Sequence, residues 1–70
     1  MHTILLSEYN GKPNGNKRYK LELEHIPEDI SVLVKKYFPD FEILEISDDK
    51  YTKIVFSTNP LRRINVFIDC

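Results

Sequence analysis

Between residues 26 and 39 the apolar positions Ile30, Leu33, Val34 and Tyr37 recur at i, i+3, i+4 and i+7, the period of a helix with one buried stripe. Pro27 suits a first helical position. Glu28 and Asp29 put negative charge at the positive end of the helix dipole, and Lys35 and Lys36 put positive charge at the other. Pro39 ends the segment. Elsewhere the period shortens to two. Tyr19, Leu21 and Leu23 alternate with Lys20, Glu22 and Glu24, which predicts a strand over residues 19–25 with one buried and one wet face. Residues 3–8 predict a strand before it, and residues 41–47, 51–58 and 64–69 predict strands after the helix. Residues 10–16 hold both glycines of the chain together with asparagines and a proline, the chemistry of a long hairpin loop. A tight turn is expected at residues 48–50, and Asn59-Pro60 breaks the next strand. The expected order is ββαβββ: an α+β domain with a mainly antiparallel five-stranded sheet and one helix packed on one face.

Short connections make successive elements run in opposite directions, so charges far apart in sequence can be assigned to ends. One end is expected to collect Lys12, Lys17 and Arg18 from the first loop, Lys35 and Lys36 from the end of the helix, and Arg62 and Arg63 from the last turn. The opposite end collects Glu24, Glu28, Asp29, Asp48 and Asp49. A basic pole and an acidic pole of this kind orient a molecule toward a charged partner. One helix covers one sheet face only. Strand parity is expected to leave Leu5, Ile43, Val55 and Phe67 on the other, rimmed by Lys20, Glu22, Glu45 and Lys53, which is the make-up of a protein interface. Phe41, Ile43, Leu44 and Ile46 do not alternate cleanly, so the register of that strand is the weak point of the assignment.

Composition narrows the chemistry. Seventy residues make one domain near the lower limit for a core without cross-links. At 41% hydrophobic and 30% charged, the chain has the balance of a globular protein. No apolar run approaches the roughly 20 residues needed to span a bilayer, and a cytoplasmic location is expected. The only cysteine, Cys70, excludes an internal disulfide. Gly11 and Gly15 lie in a hairpin loop, not between a strand and a helix N-terminus, so they form no phosphate loop. Neither His2 nor His25 has a second histidine or a cysteine at metal-ligand spacing, and Asp48-Asp49-Lys50 lacks the ligand spacing of a calcium loop. His25 beside Glu24, Glu28 and Asp29 comes nearest to an acid–base site, but no nucleophile stands near it. No catalytic residue, metal or cofactor is therefore expected.

The expected function is that of a small non-enzymatic module that modulates or inhibits a larger macromolecule by protein–protein contact, as small phage or mobile-element inhibitors do. The alternative is a nucleic-acid-binding regulator, with Tyr9 and Tyr19 flanking the basic loop and Arg62 and Arg63 at the same end. Against it stands a pI near 6.1. Charge reversal at Arg62 and Arg63 is expected to weaken partner binding without unfolding. A homodimer is a further expectation, through an edge strand such as residues 64–69 or through the apolar sheet face.

Overall fold

The computed structural model describes residues 1–12, 16–49 and 52–69. Pro13, Asn14 and Gly15 of the expected loop, Lys50 of the expected turn, Tyr51 at the head of the expected fourth strand, and Cys70 lie outside the described residues. The elements follow the expected order: β1 His2–Tyr9, β2 Arg18–Leu23, α1 Ile30–Tyr37, β3 Ile43–Asp48, β4 Thr52–Ser57 and β5 Arg63–Asp69. The strands form one antiparallel sheet in the order β2-β1-β5-β4-β3, with the helix on one face, a small α+β fold.

The helix begins where its apolar stripe begins, at Ile30, and later than the expected first helical position at Pro27. Asp29 has extended backbone angles (φ −110°, ψ 101°) and its side chain accepts the Ser31 N–H at 3.0 Å, so it is the N-cap and Ile30 the first helical residue. Pro27 and Glu28 lie outside, and the first turn carries no acid. At the other end the Phe38 N–H donates to the Val34 carbonyl, with Pro39 following. Ile30, Leu33 and Val34 are buried against Ile4, Leu6, Val55, Ile64, Val66 and Ile68 of the sheet. Phe38 and Phe41 close the top of this core. Tyr19 is half-buried there too, its ring 5.2 Å from that of Tyr37 and 5.3 Å, edge-on, from that of Phe38.

Two strands depart from the expected parity. In β3, Ile43 pairs with Ser57 and Glu45 with Phe56, so Leu44 is the extra residue of a bulge. It stands 64% exposed, and the bulge lets Ile43 and Ile46, three apart, share the helix face. In β4, Val55 pairs with Ile64 and is fully buried under the helix. Ile54, Val55 and Phe56 are all apolar, so alternation alone could not say which faces inward; the pairing with Ile64 does. β5 is also not an edge: β1 flanks it on one side and β4 on the other.

Candidate partner-binding surface

The registers give the uncovered face as a grid of cross-strand rows. The first row runs Tyr9, Arg63, Phe56, Glu45 across β1, β5, β4 and β3. The second runs Arg18, Ser7, Asn65, Ile54, Ser47 from β2 to β3, and the third runs Lys20, Leu5, Phe67, Thr52 from β2 to β4. Glu22, Thr3 and Asp69 make the fourth. Phe67 is 43% and Tyr9 44% exposed, while Leu5, Ile54 and Phe56 are half-buried by their neighbours in the sheet. This face therefore carries an aromatic and aliphatic centre, cations toward the upper β2 corner, and acids along the lower and β3 margins.

Of the expected patch, Leu5 and Phe67 lie on this face together with Lys20, Glu22 and Glu45. Ile43 and Val55 do not: both are on the helix side, Val55 wholly enclosed. Lys53, which pairs with Val66, is on the helix side as well, and its ammonium donates to the Asp49 carbonyl. Ile54 and Phe56 take the places expected for Ile43 and Val55. Only the pairing registers could have revealed them.

Arg62 and Arg63 are neighbours in sequence but face opposite ways. The turn before them is built by Asn59, whose side chain accepts the Leu61 N–H at 3.1 Å and whose carbonyl accepts the Arg62 N–H at 3.0 Å, with Pro60 pre-setting its backbone angle. It delivers Arg62 to the helix side. There its guanidinium pairs with Glu8 at 2.5 Å and Asp40 at 3.5 Å and lies 5.1 Å from the centre of the Phe41 ring. The hydrogen bond to Glu8, backed by the charges of Glu8 and Asp40, raises the Arg62 pKa above its ordinary value despite burial. Glu8, on the same side of β1 as Ile4 and Leu6, is 5% exposed. Nothing in the local sequence around Glu8 distinguishes it from a wet-face acid; its place follows from strand parity once β1 is known to be central.

Arg63, in contrast, starts β5 on the uncovered face and lies 5.0 Å from the centre of the Tyr9 ring. Lys12, Lys17 and Arg18 are exposed at the same end of the sheet, and so are Lys35 and Lys36 of the last helical turn, where the Lys36 ammonium lies 5.8 Å from the Tyr37 ring. The basic end thus exists in outline, but Glu8, Asp40 and Glu42 stand within it. Glu42 accepts the Thr58 hydroxyl at 2.9 Å, tying the entry to β3 to the exit of β4. Of the two tyrosines expected to flank the loop as stacking platforms, Tyr9 is available and Tyr19 is held against Tyr37 and Phe38.

Concavities are shallow. A cleft of about 220 Å³ lies between the start of α1 and the β3–β4 pair, lined by Glu28, Asp29, Ile30, Ile46 and Lys53. A polar one of about 110 Å³ lies beside Arg62. Both fall below the range of pockets that enclose a small-molecule ligand. His25 is exposed in the connection between β2 and α1. Among the described residues no His, Cys, Asp and Glu side chains converge on a metal-sized site, and no helix is long and apolar enough to cross a membrane. Comparison with protein-family models, curated proteins and solved structures finds no match.

Proposed function

We propose that this chain is a non-enzymatic binding domain that modulates or inhibits a larger protein by docking it on the uncovered face of its sheet. The observation that carries this reading is the exposed centre of that face. Phe67 and Tyr9 stand out from interior strands, flanked by Leu5, Ile54 and Phe56, and among the described residues no other element covers them. Aromatic side chains with an apolar surround and a charged rim are the composition of interface hot spots. Arg18 and Lys20 along β2 and Arg63 at the start of β5 suit a partner carrying acidic groups opposite them.

A second reading has its own support. Tyr9, Phe56 and Phe67 share the face with Arg18, Lys20 and Arg63, as a surface for stacking single-stranded bases would require. It ranks second because Glu22, Glu45 and Asp69 border the same face, and because Arg62 is committed to Glu8 and Asp40. Affinity capture of partners by the tagged protein, with and without nuclease and in parallel with Phe67→Glu and Arg63→Glu, separates the two. A nuclease-resistant protein lost with Phe67→Glu supports the docking face. Capture unchanged in Phe67→Glu overturns it, and nucleic acid whose retention falls steeply with salt and with Arg63→Glu promotes the second reading.

A further inference from the structure

The sheet has two open edges, and they are not alike. Along β3 the outer edge is broken by the bulge at Leu44, and the sequence from Glu42 to Asp49 holds acids and no cation. A bulge breaks the ladder and acids of one sign repel when they are set opposite one another, so this edge resists pairing with a copy of itself. β2, the other edge, has neither protection: it holds a regular register from Arg18 to Leu23, with no bulge, no proline and no glycine. The Glu8 N–H donates to the Lys17 carbonyl at 2.8 Å, and the β1–β2 register continues from that rung. In an antiparallel ladder the bonded rungs alternate, so Lys17, Tyr19, Leu21 and Leu23 turn their backbone groups toward β1. Arg18, Lys20 and Glu22 turn theirs outward.

The side chains on those outward-bonding positions are arranged as a charge palindrome. Reading from Arg18, the open-face residues run Arg18, Lys20, Glu22 and then Glu24 just beyond the strand, all exposed, with Leu21 at the centre. We propose that β2 pairs antiparallel with β2 of a second copy about a two-fold axis at Leu21, joining the two sheets into one of ten strands. In that register Lys20 faces Glu22 of the other copy and Arg18 faces its Glu24, twice each by symmetry. On the helix side Leu21 meets Leu21, and Tyr19 meets Leu23. The neighbouring registers fail by the same test. Centring on Lys20 sets that ammonium against itself, and centring on Glu22 does the same to the carboxylate. An axis normal to the sheet leaves both helices on one side and both uncovered faces on the other, so pairing sets the two apolar centres in one continuous face without covering them, while Arg18 and Lys20 share their charge with acids of the other copy. The inference stands whatever that surface binds.

Sedimentation velocity of the full chain under reducing conditions, from micromolar to ~1 mM, reads the association directly. A monomer–dimer equilibrium is expected. Lys20→Glu and Glu22→Lys, each placing like charges on the central rungs, should each raise the dimer Kd by ~10-fold, and the double variant should return it to near the wild-type value. Glu22→Pro removes an outward N–H only, so the folded circular-dichroism spectrum should persist while the dimer is lost. A protein that stays monomeric across the range overturns the proposal. So does a dimer indifferent to Glu22→Pro, or a double variant no better than the two singles, since either result places the contact elsewhere.

Discussion

Truncating Arg62 would leave the Glu8 carboxylate, only 5% exposed, without the guanidinium that balances it. An uncompensated buried charge costs more than its ion pair contributes, and Arg62 is itself 22% exposed, so Arg62→Ala is expected to lose about 2–3 kcal/mol in urea unfolding at neutral pH. Glu8→Gln should lose less, because Arg62 keeps Asp40. The joint replacement Glu8→Leu with Arg62→Met should recover most of the loss. A loss under ~0.5 kcal/mol for Arg62→Ala would mean that the pair is decoration. The same geometry corrects the expectation that reversing both arginines spares the fold: Arg63 alone can be reversed as a probe of binding. Asp29 sets a second residue-scale expectation. Hydrogen bonds from the Ser31 hydroxyl and then the Ser31 N–H hold its carboxyl below the ordinary 3.8, so the folded state favours the ionised form. That contribution is present above the unfolded value and disappears as pH falls through the folded one. Asp29→Ala should therefore lower the thermal midpoint at neutral pH, with the gap to wild type narrowing as pH drops below 3.8. A gap constant down to strongly acid pH would show that the carboxylate is not what caps the helix.

At the scale of elements, the parity of β4 can be tested by two truncations. Val55 lies on the helix side with no exposed surface, and Phe67 on the other side is 43% exposed. Val55→Ala should cost about 2 kcal/mol and Phe67→Ala about 1 kcal/mol or less, measured by chemical denaturation. Equal costs would mean that the two faces are not as the ladder assigns them. These residues also mark how far the sequence could be read. The order ββαβββ and the helix stripe were legible because Tyr19 to Glu24 alternate cleanly and Ile30 to Tyr37 hold a helical period. The side on which each apolar residue falls was not legible in β3, where one extra residue at Leu44 shifts the parity, nor in β4, where three apolar residues in a row carry no alternation. The uncovered face was consequently half recovered. Leu5 and Phe67 were within reach of local pattern, whereas Ile54, Phe56 and the burial of Glu8 depend on pairings across the chain. The helix start was missed by a few residues because Pro27 and Asp29 compete as start signals, and a cap that satisfies an orphan N–H outweighs a proline that only fits the angle.

For the whole molecule, the decisive feature is that the last strand lies in the middle. β5 pairs with β1 from Thr3↔Asp69 to Tyr9↔Arg63 and with β4 from Thr52↔Phe67 to Phe56↔Arg63. Among the described residues it is the only ladder link between the β1–β2 pair and the β3–β4 pair. It also supplies Ile64, Val66 and Ile68 to the core beneath the helix. Removing an edge strand would trim such a sheet; removing β5 divides it into two hairpins, and an isolated two-stranded hairpin is marginal in water. A chain ending at Arg62 is therefore expected to lose cooperative urea unfolding and the dispersed amide spectrum altogether, not to yield a smaller folded core. Because Thr3 meets Asp69 only after nearly the whole chain is in place, the intact protein should fold slowly for its size, with β5 paired in the rate-limiting step. A truncated chain that still unfolds cooperatively would show that the halves cohere through the helix alone, and β5 would then be an addition to the core instead of its keystone.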